Sequence, residues 1–182
     1  MPDDTSEQFA AVGVLSRAEP AEPAPTSTYR RLLDLFHQGD IAYRLMDHPP
    51  EGQTTLASEL RGHKLSAAAK CMVVTVTKGG RPTRHVLAVV PGDRRVDLKQ
   101  VARAAGGGKA RFADQQVAET LGATVSGTIT PFSFHPDLQV LADPALFDEP
   151  ELYFNAARLD RSVAIRAADY RRLARPQVVG IT

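Results

Sequence analysis

The sequence predicts a single α/β (α+β) domain with a mixed β-sheet and surrounding helices. Three observations predict this class. Helical and strand periodicities interleave along the chain, two neighbouring strands are separated by a glycine turn, and the last strands follow one another without helices between them. Interleaved elements indicate an α/β or α+β fold, and the hairpin argues against a doubly wound parallel sheet. With 182 residues, 43% of them hydrophobic, the chain can bury one sizeable core.

The first predicted helix follows a tail of different composition. Residues 1–27 are rich in Pro, Ala, Glu, Ser and Thr. Such a segment buries too little apolar surface to fold, so we expect a disordered tail before a domain over residues 28–182. Within residues 26–40, Leu and Phe recur at helical spacing and Gly39 ends the helix. Residues 41–48 are a short predicted strand that leads into a Pro-Pro-Glu-Gly turn.

A helix and a hairpin come next. Residues 54–62, "TTLASELRG", predict a helix capped by Thr54 or Thr55 and ended by its final glycine. Residues 70–77 and 84–91 are apolar, β-branched runs on either side of "KGGRP". The two glycines supply the turn geometry that a hairpin requires.

The second half of the chain predicts three helices and four strands. Asp97 caps a helix over residues 97–106, and Asp114 caps another over residues 114–122, with a short strand at 109–113 between them. Strands then follow at residues 138–143, 151–155 and 161–166, and a last helix lies at 167–174.

The position of Lys70 needs an explanation. It opens the strand in "AAAKCMVVTV", where an ammonium directed into the protein is costly unless it is paired or used. Most lysines at strand ends simply reach solvent. Either Lys70 does so, or a negatively charged group comes to meet it.

A long loop over residues 122–136, "GATVSGTITPFSFHP", is the second candidate for function. It is apolar in places and punctuated by Gly127 and Pro131. A partly buried loop needs partners for its amides, and a glycine allows conformations that direct successive N–H groups at an oxyanion. The alternative is a packed connector without chemistry.

Other motifs have simpler explanations. "AAGGGKAR" lacks the first glycine and the Ser/Thr of a phosphate-binding P-loop. The histidines show no paired ligand spacing and Cys71 is the single cysteine, so a zinc site is not expected. Ser133, His135 and Asp137 alternate in "SFHPD", but a triad needs residues that converge, and polar residues at a loop end are the simpler interpretation.

Composition excludes several classes of protein. The net charge is +1 with both signs mixed along the chain, which argues against a broad polybasic nucleic-acid surface. The lone Cys71 cannot form an intramolecular disulfide. No apolar run reaches the length of a membrane span, and the acidic N-terminus does not resemble a signal peptide. We therefore expect a cytoplasmic protein.

Several ordered phrases together resemble the YbaK/ProX family, relatives of the editing domain of bacterial prolyl-tRNA synthetases. They include "DHPPEGQTTLASELRG", the lysine in "AAAKCMVV", the Gly-x-x-x-Pro loop "GTITP", "LADPALF" and "LYFNAARLDRSVAI". "PFSFHPDLQVLADP" and "FNAARLDRSVAI" are most similar to the YeaK branch. The resemblance spans residues 29–174 and implies a curved mixed sheet.

The resemblance implies a trans-acting hydrolase that deacylates tRNA carrying a wrong, small amino acid such as serine, threonine or alanine. It implies catalytic roles for Lys70, Gly127, Thr128 and Ile129 without a metal or organic cofactor. It also implies substrate-binding roles for seven residues, namely His48, Cys71, Thr130, Pro131, Phe132, Asp143 and Asn155. Asn155 stands where some relatives have a histidine.

The expected partner is the 3′ end of a mischarged tRNA. A synthetase or an elongation factor is a further candidate partner, whereas no membrane or DNA partner is expected. Three other readings stay open at this point, one of which is a purely structural domain with an ordinary surface lysine. The domain could bind tRNA ends or nucleotides without hydrolysis, or Lys70 could act covalently as a Schiff base.

Overall fold

The computed structural model describes residues 27–81 and 83–182. The predicted tail over residues 1–27 therefore lies almost entirely outside the described residues. Within them the helices are α1 (Thr28–Gln38), α2 (Thr54–Arg61), α3 (Leu98–Ala104), α4 (Gln115–Gly122) and α5 (Ala167–Ala174). None of these helices is long and apolar enough to cross a membrane.

The strands of the described residues form two sheets. They are β1 (Tyr43–Asp47), β2 (Ala69–Thr77), β3 (Arg84–Pro91), β4 (Lys109–Phe112), β5 (Leu138–Ala142), β6 (Glu151–Asn155), β7 (Arg161–Arg166) and β8 (Gln177–Val178). The larger sheet is mixed, in the order β4-β2-β3-β5-β8, and the smaller one is antiparallel, in the order β1-β7-β6. A parallel bridge between Ala68 and Tyr153 links the two sheets. The predicted mixed α/β class is confirmed.

The central strand β3 of the larger sheet is buried on both faces, which explains its nearly continuous apolar run. Leu87 and Val89 point into one core together with α1, α5 and the smaller sheet. Val86, Ala88 and Val90 point into a second core formed with α3. Successive side chains of a strand alternate between faces, so a strand covered on both sides must be apolar at every position.

Local sequence signals locate most helix ends. The Asp97 carboxylate accepts hydrogen bonds from the amides of Lys99 and Gln100, as its predicted capping role requires. The helix α2 begins at Thr54 and ends before Gly62 as predicted, but the cap predicted at Thr54 or Thr55 is wrong, because Gln53 occupies the N-cap position without a side-chain hydrogen bond. Asp114 occupies the N-cap of α4, but its carboxylate pairs with Arg111 at 3.1 Å and caps no amide.

The charges of the chain are less evenly mixed than the composition suggested. Residues 78–111 contain nine Lys and Arg but two Asp and Glu, so the remainder of the chain is net negative. These residues form the turn between β2 and β3, the approach to α3, α3 itself and most of β4. At the hairpin end, Lys78 and Arg84 donate hydrogen bonds to the carbonyls of Gly106 and Ala105, at 3.0 and 3.1 Å. Lys78, Arg81, Arg84, Lys109 and Arg111 therefore lie at the hairpin end of the larger sheet, whereas Arg94 and Arg95 follow the opposite end of β3.

Candidate active site

A cavity of about 230 Å³ lies where α2, the start of β2, the loop after α4 and the end of β6 meet. Five residues predicted from the sequence line it: Lys70, Cys71, Gly127, Ile129 and Asn155. Segments far apart in the chain thus converge on one concave surface, as expected of a binding site.

Lys70 reaches the edge of this cavity from the second position of β2. Its ammonium donates hydrogen bonds to the carbonyl of Gly92, at 3.1 Å, and to the carbonyl of Arg94. Burial lowers the pKa of Lys70, an effect that Asp93 opposes and Arg95 reinforces. Both acceptors are neutral carbonyl oxygens, so these two hydrogen bonds do not compensate the positive charge of the ammonium.

Gly127 occupies a position that only glycine fits. Its φ is +84°, in the left-handed region, and a Cβ built there would lie 2.7 Å from the Cα of Gly52. The two glycines bring the loop after α4 into direct backbone contact with the segment before α2. Both line the cavity.

From Ser126 to Ile129, backbone amides that donate a hydrogen bond within the protein alternate with amides that do not. Ser126 N donates to the Glu119 carboxylate at 2.9 Å, and Thr128 N donates to the Val125 carbonyl at 3.1 Å. Within residues 27–81 and 83–182, the amides of Gly127 and Ile129 donate to no other group of the protein. These two amides belong to the two loop residues that line the cavity, so they are available to a bound carbonyl oxygen.

Asn155, which lines the cavity, holds the loop in place through hydrogen bonds of its side-chain amide. Its amide nitrogen donates to the carbonyls of Glu51, at 2.8 Å, and Gly127, at 3.0 Å. Its oxygen accepts from the hydroxyl of Ser162 at 2.9 Å. One buried side chain therefore ties together both segments that carry the cavity's glycines.

His48 lies behind Asn155 rather than in the cavity wall. Its Nδ1 is 2.8 Å from the carbonyl of Pro49, which can only accept, so Nδ1 carries a proton. Its Nε2 is 2.7 Å from the Ser162 hydroxyl. His48 is thus connected to Asn155 through Ser162.

Sequence reasoning missed Arg61. It is the last residue of α2 and lines the cavity, and it donates to the Ser162 hydroxyl at 3.2 Å. An arginine in the last turn of a helix is an ordinary complement to the helix dipole, so the sequence offered no signal that this one faces a cavity.

Four loop residues predicted to act in the site do not line the cavity: Thr128, Thr130, Pro131 and Phe132. All four are buried. The hydroxyls of Thr128 and Thr130 donate to the carbonyls of Val125 and Phe132, at 2.7 and 3.1 Å. Phe132 packs in the core against Phe36, Phe154 and Tyr170. These four residues shape the loop from outside the cavity wall.

Asp143 is also placed away from the cavity. Its carboxylate accepts from the amide of Ala145 and, through the other oxygen, from the amide of Ile181 and the hydroxyl of Thr182, each at 3.0 Å. Arg94 lies 3.8 Å away. The carboxylate therefore fastens the C-terminal segment to the end of β5.

Cys71 forms an apolar part of the cavity wall. Burial raises the pKa of its thiol well above the ordinary range, and the thiol donates a weak hydrogen bond to the Ala69 carbonyl at 3.5 Å. A neutral thiol is a poor nucleophile, so the geometry gives Cys71 a shaping role.

The "SFHPD" residues form a local turn. The Ser133 hydroxyl donates to the carbonyl of His135 at 3.0 Å, and His135 Nδ1 accepts from the amide of Asp137 at 3.2 Å. The Ser133 hydroxyl and His135 Nδ1 are thus engaged by backbone groups of the same segment, in agreement with the simpler interpretation of this motif.

Comparison with known proteins accounts for this arrangement. Residues 48–173 match the family model of the aminoacyl-tRNA editing domain. The chain belongs to this family. It is 41% identical over 153 residues to the multifunctional Ser/Thr-tRNA deacylase ProXp-y of Escherichia coli strain K12, covering 84% of this chain and 91% of that protein. The same protein of Escherichia coli O157:H7 matches equally well.

Two solved structures share the fold of this chain. A protein described as a candidate trans-editing enzyme for prolyl tRNA synthetase superposes with a TM-score of 0.72 at 20% identity, over 85% of this chain and 96% of that one. The hypothetical protein APE2540 gives a TM-score of 0.74 at 18% identity, over 83% of this chain and 98% of that one. The predicted family, its fold and its editing hydrolase activity are confirmed.

Proposed function

We propose that this editing-domain protein acts in trans on tRNA mischarged with a small amino acid, with seryl- and threonyl-tRNA as its first substrates. The observation that carries the proposal is one cavity lined by Lys70 and by Gly127 and Ile129, whose amides donate to no other group of the described residues. The 41% identity to a Ser/Thr-tRNA deacylase supports the choice of substrates.

The reaction requires only a polarised carbonyl and a positioned water. Hydrolysis breaks the ester between the amino acid and the ribose hydroxyl, and water supplies the new carboxyl oxygen. In our proposal the amides of Gly127 and Ile129 bind the carbonyl oxygen and stabilise the negative charge that develops on it. Lys70 adds a positive charge at the cavity edge. An aminoacyl ester is already activated, so positioning can replace a protein nucleophile.

The size of the cavity favours a small aminoacyl group. Its volume of about 230 Å³ is below the range of about 300–1,000 Å³ typical of ligand pockets. The bulky side chains of Met72, Ile129 and Phe154 close parts of the wall. A synthetase pocket distinguishes small side chains by only about 1–3 kcal/mol, which is the error that such a second, small site removes.

The decisive experiment is deacylation by the purified protein of tRNAs charged with serine, threonine, alanine and cysteine. We expect release of serine and threonine at rates well above spontaneous hydrolysis. A binding module would instead protect the ester, so slower loss of the amino acid in the presence of protein would overturn the proposal. Borohydride trapping tests the covalent alternative, and we expect no adduct on Lys70.

We place the reaction in the cytoplasm, where charged tRNA is used. The substrate, a mischarged aminoacyl-tRNA, follows from the editing domain. A synthetase or an elongation factor that delivers the tRNA is a further candidate partner. Co-purification with either one, tested with and without mischarged tRNA, examines that part of the proposal.

A further inference from the structure

Arg61 is a mostly buried cation with no acidic partner in the described part of the chain. Its Nε donates to the carbonyl of Ala57 at 2.9 Å and one terminal nitrogen donates to the hydroxyl of Ser162 at 3.2 Å. Among residues 27–81 and 83–182, no Asp or Glu forms a salt bridge with it. Burial lowers its pKa to about 10, so the guanidinium remains charged at neutral pH.

The cavity contains a second cation and no acid. Arg61 and Lys70 both line it, and none of its described lining residues is an Asp or a Glu. Lys70 is held by two backbone carbonyls, with the carboxylate of Asp93 acting on it from outside the cavity wall. Burying positive charge without a counter-charge is costly, and a protein keeps such an arrangement where a ligand supplies the negative charge.

A substrate that ends in an aminoacylated nucleoside brings one permanent anion close to its ester. This anion is the phosphodiester on the 5′ side of the terminal adenosine. A guanidinium presents several N–H donors in a planar fork that matches phosphate oxygens. The ester carbonyl, by contrast, is neutral before attack and already has the two loop amides as donors.

We propose that Arg61 is a substrate-binding residue that takes the 5′ phosphodiester of the terminal adenosine, in a positive field that Lys70 shares. The proposal rests on the proposed function and names the part of the tRNA end that this side of the cavity binds. The competing explanation is that Arg61 only ties α2 to Ser162. A role of that kind would not depend on a phosphate in the substrate.

Two minimal substrates separate these explanations. One is 3′-O-seryl-adenosine and the other is the same ester carrying a 5′-phosphate. We expect the full-length protein to cleave the phosphorylated ester with a kcat/KM about tenfold higher or more, as a charge-assisted hydrogen bond allows. In Arg61→Gln the ratio of the two kcat/KM values should fall to about one, whatever the activity of the variant on seryl-adenosine. Arg61→Lys, which keeps the charge without the fork, should retain part of the preference.

Arg103→Gln is the matched control, because Arg103 is exposed on α3 and does not line the cavity. It should keep the full preference. The proposal is overturned if Arg61→Gln keeps the preference, if it loses both substrates equally, or if Arg103→Gln loses the preference to the same extent.

The two proposals can fail separately. If the unaltered protein cleaves neither ester, the proposed function fails only if seryl-tRNA is not deacylated either, and calorimetric binding of adenosine 5′-monophosphate against adenosine tests the subsite in both cases. The subsite is supported if the monophosphate binds more tightly than adenosine and this difference is lost in Arg61→Gln. Equal binding of adenosine and its monophosphate to the unaltered protein overturns it.

Discussion

The ammonium of Lys70 is costly to bury, and the carbonyl oxygens that hold it are neutral. We therefore expect Lys70 to contribute to ligand binding and not to the stability of the fold. We expect Lys70→Met to lose most deacylation of seryl-tRNA while keeping the fold. Lys70→Arg should also be impaired, because a planar fork does not replace a compact ammonium. Turnover assays on the two variants, with circular dichroism as the check on folding, test this. Unchanged turnover in Lys70→Met would show that the site is wrongly placed.

The lowered pKa of Lys70 also predicts a pH dependence. Its folded-state pKa lies below its unfolded value, so the unfolded chain binds the proton more tightly and stability rises with pH between the two values. The free energy of unfolding of the unaltered protein should therefore increase relative to that of Lys70→Met as the pH rises towards the ordinary lysine value. Urea unfolding of both proteins at neutral and alkaline pH measures the difference. A difference that does not change with pH contradicts the burial of the ammonium.

Gly127 and Ser133 give opposite predictions for two mechanisms. In Gly127→Ala the new methyl group would meet the Cα of Gly52, so the loop must move and its amides lose their direction. Losing one preorganised donor typically costs about 10²–10³ in rate. We expect Gly127→Ala to lose turnover on this scale and Ser133→Ala to stay close to the unaltered protein. The reverse ranking would indicate a serine mechanism built on "SFHPD".

At the scale of elements, the cavity depends on the hydrogen bonds of Asn155 at the end of β6. In Asn155→Asp a carboxylate would face the carbonyls of Glu51 and Gly127 instead of donating to them. We expect kcat to fall because the loop amides lose their direction, and the KM for tRNA to rise because the new carboxylate opposes the positive charges of Arg61 and Lys70 in the same cavity. Ser162→Ala leaves both donor bonds of Asn155 in place and should be milder. A ranking with Ser162→Ala as the more damaged variant would contradict this role of Asn155.

Elements with a strong periodic pattern were predictable from the sequence, and contacts between distant segments were not. The hairpin followed from two apolar runs around a glycine turn, and Asp97 from its position before a helix. The 3₁₀ helices at Leu65–Ala67 and Pro144–Asp148 and the two-residue β8 were missed, because they are too short for a period to appear. Their stability comes from tertiary contacts.

The site was predictable only where a residue type is itself unusual. A lysine at the mouth of a buried strand and a glycine within an apolar loop both stand out in the sequence. Arg61 does not, since its partner Ser162 is 101 positions away along the chain. Asp143 and Phe132 were expected near the substrate because they belong to recognisable phrases, yet they hold the C-terminal segment and the core together.

At the scale of the whole molecule, the domain boundary at residue 28 is open to a direct test. Ser27 caps α1 by accepting a hydrogen bond from the amide of Arg30 at 3.2 Å. A variant that starts at Thr26 retains this cap, so its melting temperature and its deacylase activity should equal those of the full chain. A loss of several degrees would show that the removed residues pack on the domain.

The excess of positive charge in residues 78–111 gives the molecule an electric dipole, since the rest of the chain is net negative. A polyanion approaching in solution would exert a torque on that dipole and turn the protein before any contact forms. We therefore expect the kcat/KM for seryl-tRNA to fall steeply as salt is added, and the kcat/KM for seryl-adenosine, which carries no phosphate, to stay nearly flat. Parallel salt titrations of the two substrates measure how much of the enzyme's speed is decided during the encounter, before the ester reaches the cavity.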